Sequence, residues 1–319
     1  MAGTITHFLV MKKYFKRNGI SVPFGTEDPY LSSAFLGSTG PDIFYIGAGQ
    51  EHISDFHHYK NAGLFVKNLF GISGGKGSHG GALALGFLCH MATDLVIHPF
   101  VNSLVGKYQE HIVKEIQIPG APIGLIGTSL SLSAQFVAHN MVEMAHDYYV
   151  HTHIFKNNST FKAHDSIFTY GIKPIRSELT SLMHSTIQKT YGLNVTKSEI
   201  NEILGVFMNY NNLGIGSGNK IQNIEDHVDY VIDDEYKNYQ IFLQHQKEIS
   251  GILDNENSTF MKLVDKSVEV TELMVADMLS GNWDDIIRPW NLDTGLYTEP
   301  KVENNEIKLS FKKYENIWG

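Results

Sequence analysis

Little of this chain of 319 residues is cysteine, proline or tryptophan: one Cys, nine Pro and three Trp. A single cysteine, Cys89, excludes an intramolecular disulfide framework and fits a reducing compartment. Cations are also short, 25 Lys and Arg against 34 Asp and Glu, a formal net charge of -9. Duplex nucleic acid rewards clustered cations, and this chain has no such cluster. The opening Met-Ala-Gly-Thr-Ile-Thr-His-Phe-Leu-Val-Met-Lys-Lys lacks a basic region ahead of a long apolar stretch. It does not read as a signal peptide, so a cytoplasmic setting is expected. No uninterrupted apolar run has membrane-spanning length; 123–141 is broken by Gly, Ser, Gln, His and Asn. In such a setting the Asn-x-Ser/Thr sites at Asn158, Asn194 and Asn257 carry no sugar.

Strand signals are scarce as well. The pattern reads as an all-α, multi-helical fold punctuated by Gly and Pro. Helices are expected over 4–17, ending at Asn18-Gly19, then over 50–70, 82–98, 123–155, 175–191, 197–211, 224–250 and 257–279. Residues 37–47 and 73–81 read as loops, with His79 a weak candidate for substrate contact. Pro99 is expected to end the 82–98 helix at His98. Thr196-x-x-Glu199 has the form of a capping box. The segment from Tyr297 has the alternation of a short hairpin. The Gly-rich stretches 73–81 and 214–218 lack the order or the preceding strand of a nucleotide loop. The expected organisation is a helical core over 1–160, with further helices over 161–319 packed on it as one continuous domain.

What the chain does have is histidine, 16 of them, and their spacing. His90, Asp94 and His98 follow one another at four-residue steps, about one helical turn. Phe87, Leu88, Leu95, Val96 and Ile97 around them are apolar. Buried imidazoles and a buried carboxylate need a partner, and a metal ion satisfies both kinds of donor. His139 and Glu143 repeat the pattern in a second helix, and His146 and Asp147 continue it, with Asp147 at the polar margin. His90 and His98 are about 12 Å apart at 1.5 Å per residue, too far for one ion. At least two ions are therefore expected, one at His90 and Asp94 and another at His98. Cys89 points away from this face and reads as core.

Five local pieces carry a resemblance: Thr4-Ile-Thr-His7; Gly40-Pro-Asp42-Ile-Phe; His57-His58; Gly86-Phe-Leu-Cys-His90-x-x-x-Asp94-x-x-x-His98-Pro; and His139-x-x-x-Glu143. Together, and in this order, they resemble the zinc-dependent phospholipase C family, which shares a superfamily with single-strand-specific nucleases. The likeness covers about residues 3–150, and Pro289-Trp-Asn-Leu-Asp-Thr-Gly295 looks like a family tail segment. The short step from Asp94 to His98 matches the non-secreted members better than the secreted ones. The resemblance implies an all-α fold and two or three zinc ions in a cleft. It gives Asp42, His58, His90 and Asp94 to the first ion and His98, His139 and Glu143 to the second. His7, a bridging Asp94 and the N-terminal amine and carbonyl would serve the third. His58 is preferred to His57 because it shares a helical stripe with Ala62, Phe65 and Leu69.

The implied activity is a zinc-dependent phosphoesterase in which Asp42 orients or deprotonates a metal-activated water. The implied substrate is a phospholipid head group or small phosphodiester, with transient contact to a membrane surface. Alternatives are a nuclease or nucleotide phosphatase on the same cluster, or a helical metal-binding protein without catalysis. Phe44, Tyr45 and Phe56 are candidates for an apolar wall beside it; for at least two of them, core packing is expected instead. The residues fix no oligomeric state.

Overall fold

A computed structural model describes residues 3–20, 27–46, 50–116, 134–156, 166–214, 246–297, 301–303 and 306–308. The chain is helical, as its pattern predicts. Among the described residues nine named helices carry it: α1 Thr4–Arg17, α2 Pro29–Gly37, α3 Glu51–Tyr59, α4 Ala62–Ile72, α5 His79–Ile116, α6 Ala134–Tyr149, α7 Arg176–Tyr191, α8 Lys197–Gly214 and α9 Asn257–Ser280. Residues 246–252 are also helical, and the rest of the expected 224–250 helix lies outside the described residues. Two short antiparallel ladders follow, β1 Trp290–Asn291 with β2 Leu296–Tyr297, and β3 Lys301–Glu303 with β4 Glu306–Lys308.

The centre is α5. Its 30-residue stretch His79–Tyr108 is long and apolar enough to cross a membrane by length and composition, yet 94% of its most apolar window is buried inside the protein. An apolar helix of this kind needs cover on every side. Here α1, α2, α4, α6, α7 and α9 supply it. The helices over 176–214 and 257–280 thus pack on the same core as the N-terminal ones; α7 lies on α4 and α8, and α9 on α1 and α5.

Several local expectations need correction. Pro99 does not end the helix; α5 runs through it to Ile116. A proline there leaves the Leu95 carbonyl without its helical donor. The chain packs Gly295 against that carbonyl, and a Cβ at 295 would stand 2.8 Å from it. The single helix expected over 50–70 is two, broken at Asn61, whose φ of 57° is left-handed. Residues 29–37, which have no clear period, form α2 under a Pro at the first turn and an Asp28 cap that accepts from Tyr30 and Leu31. Residues 40–46, expected as loop, form a 3-10 helix. The capping box is present: the Glu199 carboxylate accepts from the Thr196 amide at 2.6 Å, and Thr196 Oγ1 accepts from the Glu199 amide at 3.2 Å.

Two helix contacts set up the site. The first is between α2 and α5, where Gly37 and Gly86 bring the backbones together. A Cβ at Gly86 would lie 2.1 Å from the Ala34 carbonyl oxygen, and one at Gly37 would lie 2.2 Å from that of Leu83. The second is at the start of α1, whose cap residue Gly3 offers no side chain. Asp147 of α6 caps it from across the fold. Its carboxylate accepts from Ile5 N at 3.0 Å, Thr6 N at 2.8 Å and Thr6 Oγ1 at 2.7 Å. A Cβ on Gly3 would overlap that carboxylate, 1.9 Å from its Cγ. Asp147 is therefore buried and engaged, not at a polar margin.

Candidate metal centre

The contacts just described carry eight donor residues to one place. His7 comes from α1, Asp42 from the 3-10 turn and His58 from α3. His90, Asp94 and His98 come from α5, and His139 and Glu143 from α6. Three groupings have ligand atoms within 4.8 Å of one another: His7, Asp42 and His90; His58, His90 and Asp94; and His98, His139 and Glu143. Asp94 sits in the middle. Its Oδ2 is 2.8 Å from His90 Nε2 and 3.5 Å from His58 Nε2, and its Oδ1 is 3.3 Å from His98 Nε2 and 3.4 Å from His7 Nε2. Despite these distances, neither Asp94 oxygen has a hydrogen-bond partner among the described residues, and neither do the two ring nitrogens of His7. Donors that converge without bonding one another are what a cation site requires.

The imidazole protons can be assigned from their neighbours. His58 Nδ1 lies 2.7 Å from the Ser54 carbonyl and His90 Nδ1 lies 3.0 Å from the Ser38 carbonyl. Carbonyls only accept, so both Nδ1 atoms carry hydrogen. Neutral rings then turn two lone pairs towards each other across 3.3 Å, His58 Nε2 to His90 Nε2. A metal ion between them relieves that repulsion, as does an extra proton when the metal is absent. The gap matches the roughly 3.3 Å edge of a tetrahedron with 2.0–2.1 Å zinc–nitrogen bonds. Facing His98, Glu143 Oε1 stands 3.0 Å from His98 Nε2 and 2.9 Å from His139 Nε2. The donor set, imidazole and carboxylate without thiolate, suits zinc.

Burial shapes the charges. It drives His7 down to about 3, with the neighbouring His90 adding to the effect, so His7 is a neutral donor. Burial would also lower His58, but the Asp42 and Asp94 carboxylates hold it at about 10. His98 is raised well above the ordinary value by Asp94, Asp293 and Glu143, again against burial. Burial opposes ionisation of Asp42 and Asp94, and the surrounding imidazoles hold both low. The metal-free cluster therefore carries protons on His58 and His98 at neutral pH. Zinc must displace them. Zinc uptake at pH 7 is expected to release protons, and affinity to fall as pH falls, read by an indicator dye in weak buffer. A metal uptake with no proton release would contradict this charge assignment. His58 also stabilises the metal-free fold fully below its unfolded pKa of 6.5, a contribution lost as pH rises through about 10. Melting of chelated protein should accordingly worsen over that window.

The other sequence candidates fall elsewhere. His57 is 1% exposed and faces away from the cluster, its ring 4.5 Å from that of Phe65 and 5.4 Å from Phe87. His79 pairs with Glu178 at 3.0 Å on the surface. Cys89 is buried core. Phe44 and Phe56 are core, 0% and 2% exposed. Tyr45 alone of the three aromatics borders the site, its ring 5.6 Å from His58 and its hydroxyl donating to Asp55 at 2.9 Å. Met1 and Ala2, to which the N-terminal amine of a third site belongs, lie outside the described residues.

Two residues at the centre carry no spacing signal. Asp293 Oδ1 accepts from His98 Nδ1 at 3.0 Å, and its Oδ2 accepts from the Tyr59 hydroxyl. Asn102 Oδ1 accepts from His139 Nδ1 at 2.9 Å. Only the tail motif Pro289–Gly295 hinted at the first. The side chains of His139 and Asp293 are 13% and 33% exposed, so the centre opens on their side.

No curated protein and no solved structure matches this chain. A family model does, that of zinc dependent phospholipase C, over residues 28–207. That span is more than half of the sequence and contains seven of the eight converging residues, all except His7. By that match, and with the all-α fold in agreement, the chain belongs to the zinc-dependent phospholipase C family.

Proposed function

We propose that the protein is a zinc-dependent phosphoesterase that hydrolyses a phospholipid or another small phosphodiester. One observation carries the reading beyond family membership: eight buried or nearly buried donors converge from five elements around Asp94, with their ring nitrogens turned inward. Under this reading His58, His90, Asp42 and Asp94 hold one zinc, and His98, His139 and Glu143 hold a second. His7, with Asp94 as bridge, serves a third. Bound zinc supplies Lewis acidity, lowering the pKa of water and neutralising charge on phosphoryl oxygens.

The protein's own groups do the rest. Asp42 is held as a carboxylate by His90 and His58 despite its burial. Its Oδ1 has no hydrogen-bond partner among the described residues, so it is available to accept a proton from water. Asp94 keeps the donor groups on both of its sides within reach of one another. The Tyr45 ring beside His58 offers an apolar surface to the part of the substrate next to the phosphate.

Metal analysis joined to a substrate panel tests this. Protein prepared without chelator and with zinc available should carry more than one zinc per chain. It should cleave a phosphocholine ester or bis-nitrophenyl phosphate in preference to a nucleotide or single-stranded DNA. One zinc or none, or hydrolysis of the nucleic-acid substrates alone, would sink the proposal.

A further inference from the structure

We infer that the turn Asn291–Gly295, which lies beyond the family-matched region, is a positioning device that fixes the tautomers of His98 and His139 and so builds the second zinc position. The inference rests on the zinc reading above and extends it to residues outside the donor set.

The turn is rigid by construction. Buried Asn291 accepts from the backbone N–H groups of Asp293 at 2.9 Å and Thr294 at 3.1 Å. Gly295 donates back to the Asn291 carbonyl at 3.0 Å and has a φ of 67°, a conformation that favours glycine. The turn is also docked on both neighbouring elements. Leu292 N donates to the His58 carbonyl of α3 at 3.1 Å, and Asn102 Nδ2 of α5 donates to the Asp293 carbonyl at 2.8 Å. That last bond fixes the Asn102 amide. With its NH2 committed to Asp293, its Oδ1 must face His139 Nδ1 and accept from it. One turn thus dictates two imidazole protons, directly at His98 and through Asn102 at His139. With hydrogen held on both Nδ1 atoms, Nε2 is on each ring the nitrogen left to bind metal beside Glu143, once zinc has displaced any proton there. Carboxylate and carbonyl partners of this kind orient metal-bound histidines and make them more basic.

Asp293→Asn separates this role from mere packing. Two donors, His98 Nδ1–H and the Tyr59 hydroxyl, converge on the two Asp293 oxygens. An amide has one oxygen, so its NH2 would face one donor. Whichever way the amide turns, His98 exchanges a carboxylate partner for a neutral one, and where the NH2 faces it the ring must also shift its proton to Nε2 and lose its metal-facing lone pair. Competition against graded chelators should show one zinc class weakened about 10- to 100-fold in Asp293→Asn, with the other zinc unchanged. Cobalt-loaded protein should lose the matching part of its visible absorption.

The double variant Tyr59→Phe/Asp293→Asn removes the competing donor. It should recover affinity for that zinc, an outcome that loss of packing would not give. Should Asp293→Asn fail to fold, Asn102→Leu removes the His139 partner instead and should weaken the same zinc. Unchanged zinc classes in both Asp293→Asn and Asn102→Leu overturn the inference while leaving the phosphoesterase reading intact. A parent protein that takes up no zinc overturns both.

Discussion

Asp94→Asn should strip zinc from both sides of the centre and lower turnover by about 1000-fold or more. Asp94 is fully buried, and its two oxygens stand within 3.5 Å of ring nitrogens from His7, His58, His90 and His98. An amide keeps the shape but loses the charge, and its NH2 would point at nitrogens that need a cation. Metal stabilisation of a phosphoryl transition state is worth several kcal/mol, about tenfold in rate per 1.4 kcal/mol. Asp147→Asn is the matched control. It too is a buried carboxylate, but its bonds go to the start of α1. Losing part of a helix cap costs about 1 kcal/mol. This variant should melt earlier and yet keep the zinc held by α5 and α6. Equal zinc loss in both variants would show that Asp94 has no special place.

Gly86→Ala should lower the melting temperature by about 6 °C or more and release zinc from the first position only. The added Cβ would meet the Ala34 carbonyl oxygen at 2.1 Å and Gly37 Cα and Ser38 N at 2.6 Å. These are backbone atoms, so α2 must move away from α5. Overpacking of this severity costs about 3 kcal/mol, and a chain of this size loses at least about 2 °C per kcal/mol. The Ser38 carbonyl that holds the His90 Nδ1 proton moves with α2. Gly106→Ala, later in the same helix, meets nothing within 4 Å. It should instead be neutral or slightly stabilising, since alanine is the better helix former by about 1 kcal/mol. A Gly86→Ala protein with normal melting and full zinc would mean that the α2–α5 approach does not support the site.

Much of this was legible in the sequence, and for definite reasons. The four-residue steps through His90, Asp94 and His98, and through His139 and Glu143, are set by helix geometry alone. Any fold that keeps those helices keeps each set on one face. His58 is preferred to His57 in the sequence on a helical stripe with Ala62, Phe65 and Leu69, yet the break at Asn61 interrupts that stripe: Phe65 packs on His57, while His58 reaches Asp42. The misses were tertiary. Nothing local says that α5 continues through Pro99, and the backbone that packs beside the freed Leu95 carbonyl, at Gly295, lies far along the chain. Nothing in the spacing of Asp293 or Asn102 marks them as partners of His98 and His139. Asp147 continued the periodic pattern of α6 and looked peripheral, when its partner was the first turn of α1. The short α2 carries no periodic signal of its own, because a nine-residue helix with buried serines and a glycine has almost no amphipathic period.

The cap that Asp147 places on α1 bears on when the centre comes into being during folding. It joins residues 141 and 142 positions apart. Closing a flexible loop of that length costs roughly 4 kcal/mol of chain entropy. A chain that has formed only its local helices offers the three donors of α5 and the two of α6, no more than three of them on any one element. The remaining donors arrive with long-range closure. Zinc held by the complete set therefore adds its binding energy to the closed state alone, so metal loading and the last stage of folding are thermodynamically linked.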